Sequence, residues 1–122
     1  MTSSAMSRPL EIRLGAAGDA LDRFEAAWHR VTEGRAMRPL QVLSFADLPS
    51  LLRTLSVARW VLLHKLREEG PLSIYELAKR LGRDYKNVHT DVTQLAAIRL
   101  IQREADGRVR VPWDLLRAEL KL

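Results

Sequence analysis

The chain contains no cysteine in its 122 residues, which removes disulfides and thiolate metal sites from consideration. No apolar run approaches the roughly 20 residues that a membrane-spanning helix requires. Met1 to Pro9 is polar, and no hydrophobic stretch of signal-peptide length follows it. A cytoplasmic setting without membrane contact is therefore expected, with Met1 to Arg8 as a loose tail. Gly-rich phosphate loops are also lacking, since Gly15 and Gly18 are not followed by the required pattern. The three histidines, His29, His64 and His89, fall on separate predicted helices. Glu25 and His29 stand four apart and could share a helix face as metal ligands, but no third ligand follows at useful spacing. A surface contact between them is the simpler reading. Ser56 and Ser73 are better explained as helix caps than as nucleophiles. The sequence thus carries no catalytic, metal or cofactor site, and an enzyme is not expected.

What is present is concentrated between Pro71 and Pro112. Ser73 precedes Ile74-Tyr75-Glu76, the arrangement of a capping box in which serine and glutamate satisfy each other's amides. Ile74, Leu77, Ala78 and Leu81 then recur at helical spacing, and Gly82 stands where a positive φ ends a helix. Asp84 is the expected N-cap of a second helix over residues 84–98, whose inward stripe is Val88, Val92 and Leu95. Lys86, Asn87, His89, Thr90 and Thr93 lie off that stripe, with Tyr85 at its margin. Asn pairs with adenine, Thr offers a hydroxyl and a methyl, and Lys reaches guanine or phosphate. A plain solvated helix face is the alternative reading of these residues.

Two strand-like runs, 100–104 and 108–111, flank Ala105-Asp106-Gly107, a strong hairpin signal. Period-two alternation puts Val109 and Val111 on one face and Arg108 and Arg110 on the other. The arginines suit phosphate or minor-groove contact, or else keep an exposed edge from aggregating. The order helix, turn, helix, hairpin is that of a winged helix-turn-helix, whose second helix enters the major groove of double-stranded DNA. In that reading Lys79, Arg83, Tyr85, Arg108 and Arg110 hold phosphates, while the polar residues of helix 84–98 read bases. The net charge of +5 fits a polyanionic partner but is weak by itself. Its distribution is more telling, with eight Lys or Arg against four Asp or Glu from Lys79 to Arg110, and seven against six in residues 1–55.

Upstream, Leu10, Ile12 and Leu14 alternate with Glu11 and Arg13, predicting a short strand that ends at Gly15. Asp19 to Glu33 predicts an amphipathic helix with Phe24, Trp28 and Val31 on one face. That face either thickens a monomer core or makes a dimer, and a dimer would set two recognition helices about one DNA turn apart. Gly34 and Pro39 bracket a linker. Phe45-Ala46-Asp47 is expected to open a short helix through Leu51, Leu52 and Leu55, and Val57 to Glu69 to form the first helix of the winged unit. After Pro112-Trp113, the tail alternates in strand-like fashion, although Leu115, Leu116 and Leu120 would also serve a short helix. A strand there would pair with Leu10 to Leu14, within one chain or between subunits.

The stretch LAKRLGRDYKNVHTDV, followed by LIQRE, a short turn and GRVRVP, resembles small prokaryotic transcriptional regulators related to the MarR-type winged helix proteins. The resemblance covers most of the chain and is most specific from Gly82 to Val92. It implies sequence-specific DNA binding as a homodimer with no catalytic chemistry. Some members look like antitoxins of toxin–antitoxin pairs, which implies a toxin as partner in an alternative role. Family members often carry a basic residue where this chain has Thr90, so the resemblance does not extend to a charged contact there. The expected fold is mainly α with a small β component. Its plan is an N-terminal tail, strand and helix over 1–42, a winged helix-turn-helix over 43–112, and a tail over 113–122. A protein-interaction module that keeps only the fold is a third, weaker reading.

Overall fold

The computed structural model describes residues 8–15 and 41–120. It is a mixed α/β structure that divides into two compact units. One comprises Thr54–Leu115 together with Arg8, and the other, among the described residues, 9–15, 41–53 and 116–120.

The larger unit is built on three helices. Helix α2, Val57–Glu69, begins where the Ser56 hydroxyl accepts the Arg59 amide at 3.3 Å, and it buries Leu62, Leu63 and Leu66. Helix α3, Ile74–Leu81, is capped by Ser73, which accepts the Glu76 amide at 3.1 Å. The reciprocal bond from the Ser73 amide to Glu76 does not form, so only half of the expected capping box is made. The helix ends at Gly82 with φ 64, the left-handed conformation that glycine adopts without a Cβ penalty. Helix α4, Tyr85–Ala97, follows after two residues, with Asp84 accepting the Asn87 amide at 3.2 Å. Its stripe of Val88, Val92 and Leu95 is fully buried, as the apolar spacing requires.

The end of α4 shows why the next residues turn sharply. The Leu100 amide reaches back to the Leu95 carbonyl at 3.0 Å and the Arg99 amide to the Ala96 carbonyl at 3.1 Å, the paired bonds of a Schellman turn. The left-handed residue that this turn needs is Arg99, at φ 68. An L-side chain there costs about 1 kcal/mol or more. Arg99→Gly is expected to raise stability by about 0.5 kcal/mol once the extra freedom of glycine in the unfolded chain is subtracted. A higher urea midpoint with an unchanged slope would be the result.

Beyond the turn, Leu100 and Ile101 are buried and lead into a hairpin of β3, Gln102–Arg103, and β4, Val109–Arg110. The pairing is antiparallel, Gln102 opposite Arg110 and Arg103 opposite Val109. Both strands are shorter than the expected runs of 100–104 and 108–111, because Leu100 and Ile101 serve the helix turn and core. Leu72 exchanges two backbone bonds with Val109, at 3.1 and 2.8 Å, so a single bridge ties the segment before α3 to the hairpin. Trp113 closes the unit; its indole N–H donates to the Arg99 carbonyl at 2.9 Å, and the Arg8 guanidinium lies 5.2 Å from its ring centre.

The smaller unit is a three-stranded sheet in the order β2-β1-β5. Strand β1, Pro9–Leu14, runs parallel to β2, Val42–Phe45, with Glu11 opposite Val42 and Leu14 opposite Phe45. Leu10 and Ile12 are buried, as their alternation predicts. Strand β5, Leu115–Ala118, lies on the other side of β1. The tail is thus a strand, and it meets the N-terminal strand of its own chain. Helix α1, Leu48–Thr54, is capped by Asp47, which accepts the Ser50 amide at 2.9 Å and has its carboxyl held below the usual range by that bond.

Three expectations are corrected here. Phe45 ends a strand instead of opening a helix, because bonds from the Glu11 amide to the Gln41 carbonyl and from the Gly15 amide to the Phe45 carbonyl hold 42–45 extended. The helix begins at Leu48 and stops before Leu55. Residues 43–53, expected with the winged unit, belong to the sheet unit. The amphipathic segment Asp19 to Glu33, with Glu25, His29, Phe24, Trp28 and Val31, lies outside the described residues. Among the described residues, no helix is long and apolar enough to cross a membrane.

Candidate nucleic-acid interface

Helix α4 divides its residues sharply. While Val88, Val92 and Leu95 are inaccessible, Tyr85, Lys86, Asn87, His89, Thr90 and Thr93 are all exposed. Asp84 anchors the first turn, so the residues from Tyr85 onward project from a fixed start. The Tyr85 and His89 rings lie 5.9 Å apart and tilted by 38°, a contact across one helical turn that holds both to the same side. The Thr90 hydroxyl donates to the Lys86 carbonyl at 3.1 Å, which leaves its oxygen lone pairs and its methyl group to face outward. Lys86 and Asn87 have no side-chain partner among the described residues.

The cations around this face are arranged differently from the expectation. Arg83 is turned to Asp91 at 2.8 Å, and Arg59 of α2 meets the other oxygen of Asp91 at 3.0 Å. Arg59 also donates to the Thr54 carbonyl at 3.0 Å and to the Gln94 amide oxygen. One carboxylate therefore ties α4 to α2 and to the turn before it, and Arg83 holds the helix in place. The Arg83 Nη1 atom is buried and has no partner among the described residues.

In the hairpin, Arg108 bonds Asp106 at 2.8 Å across the turn. The Arg108 amide, and then its guanidinium, hold the Asp106 carboxyl below its usual range. Arg110 is paired with Glu104 at 2.9 Å and with the Gln102 amide at 2.9 Å. Lys79 stands on α3 with its ammonium 5.7 Å from the Tyr75 ring centre. Among the described residues, Lys79, Lys86, Arg99 and Arg103 make no bond to a carboxylate. Of these Arg99 and Arg103 were not anticipated. Among the described residues, the one side-chain bond of Arg103 is to the Thr93 hydroxyl, at 3.4 Å. Adjacent charges in sequence, Arg103-Glu104 and Asp106 to Arg108, gave no means of telling which arginine would be left without an acid.

Together these residues make a small three-helix unit that carries a hairpin and exposes one polar helix face. Residues 54–118 match the model of the HVO_A0114 family, more than half of the chain, and the protein belongs to that family. The match coincides closely with the helical unit. No curated protein matches the chain.

Proposed function

We propose that this protein is a DNA-binding transcriptional regulator of the MarR-like winged helix-turn-helix type, acting as a dimer. In this reading α3 and α4 are the helix-turn-helix and β3–β4 the wing. The observation that supports it most is the face of α4: six exposed residues able to meet bases or phosphates, on a helix whose opposite side is fully buried. Lys86, Asn87, His89 and Thr90 are the groove-facing set, with Tyr85, Lys79 and Thr93 at its border. Arg108 and Arg110 contribute as parts of a rigid wing, with their charges shared with Asp106 and Glu104.

Selection of bound genomic fragments, followed by anisotropy on the recovered duplex, tests this. Asn87→Ala is expected to weaken binding to the selected duplex about tenfold and to a random duplex little, because Asn reads a base edge. Equal losses on both would remove Asn87 as a sequence reader, and no enrichment with wild-type protein would remove the function.

A further inference from the structure

A groove of about 480 Å³ opens between the second half of α4 and β3. It is lined by Thr93, Ala96, Ala97, Ile101, Gln102 and Arg103. Three of these supply an apolar floor of small or buried side chains, and three supply polar groups at the margin. Arg103 is exposed and makes no salt bridge among the described residues, whereas Arg83, Arg108 and Arg110 each do. Its bond to Thr93, at 3.4 Å and to a neutral hydroxyl, is long. An anionic oxygen would replace that bond with a shorter, charge-assisted one, and the guanidinium fork can give two. Thr93 also lies one turn beyond His89 and Thr90, so the groove continues the exposed face of α4.

We infer that this groove seats one backbone phosphate of the duplex and its deoxyribose, with Arg103 and Thr93 on the phosphate oxygens and Ala96 and Ala97 against the sugar. The small side chains let the strand approach closely, and the uncompensated charge of Arg103 is complementary to it. The inference rests on the DNA-binding reading above, and moves the main phosphate contact from the hairpin turn to the junction of helix and wing.

The test is anisotropy with a random 20-base-pair duplex (the probe length follows one to two helical turns) over a series of KCl concentrations. Arg103→Gln is expected to reduce the slope of log affinity against log salt by about one, and affinity at low salt on the order of tenfold. Arg103→Lys should restore the slope. Ala97→Glu, which places a carboxylate on the groove floor at an exposed helical position, should weaken binding at least as much. Arg53→Gln removes the same charge from α1 and should leave the slope unchanged. A wild-type slope in Arg103→Gln, or undiminished binding by Ala97→Glu, overturns the groove while leaving the DNA reading intact. A wild-type protein with no salt-dependent duplex binding overturns both.

Discussion

Leu95→Ala is expected to lower stability by about 3 kcal/mol, the middle of the range for removing a buried leucine side chain. Leu95 is fully inaccessible on the inward side of α4. Two things are lost together: the transfer of its methyl groups out of water, and the packing of whatever walls cannot close over the space they leave. Its backbone carbonyl also accepts the amides of Leu100 and Ile101, at 3.0 and 3.4 Å, so a shift at this position carries into the turn that leads to the hairpin. Leu52→Ala, on a side chain 58% exposed, should stay within about 0.5 kcal/mol. Urea unfolding followed by far-ultraviolet circular dichroism separates the two. Equal midpoints for the two variants would mean that α4 is not seated by its leucine stripe.

The second large effect is expected at a polar residue. Asp91→Ala should cost about 2 kcal/mol, a fall in Tm of roughly 8 °C for a domain of this size. The Asp91 side chain is only 15% exposed, and Arg59 and Arg83 both end on it. Removing it leaves two guanidinium groups facing each other with no acid between them, and Arg83 already has one buried nitrogen with no partner among the described residues. Exposed ion pairs are worth much less, so Asp106→Ala in the hairpin should leave the melt close to that of the wild type. Thermal melts of both variants provide the comparison. An Asp91→Ala melt indistinguishable from wild type would show that the clasp contributes nothing to holding α4. If the proposed DNA binding holds and the melt falls as expected, affinity for the selected duplex should fall with it even where the variant is folded, because the α4 face would be less rigidly presented.

The two variants mark where the sequence was legible. Leu95, Val92 and Val88 recur at the spacing of one helix face, and Ser73, Gly82 and Asp84 punctuate the chain at the helix ends. Such signals are local: a cap bonds an amide three residues away, and an apolar stripe needs no knowledge of its neighbour. Helix α2 was readable for the same reason, between Ser56 and Gly70. The Asp91 clasp was not, since Arg59 lies 32 residues away along the chain. Neither was β2, whose four residues show no period and become a strand because β1 offers them hydrogen-bond partners.

The same division runs through the candidate site. Local sequence alone determined that Tyr85 to Ala97 is a helix with a buried stripe and a polar face, that Asp106-Gly107 turns a hairpin, and that Leu10 to Leu14 alternates as a strand. Tertiary structure alone decided which charges remain for a partner. Salt bridges reach between elements, and their choice depends on distances that no spacing in the chain encodes. Arg83 was drawn inward by Asp91, Arg108 and Arg110 were matched within the hairpin, and Arg103 was left beside Thr93 with no acid among the described residues.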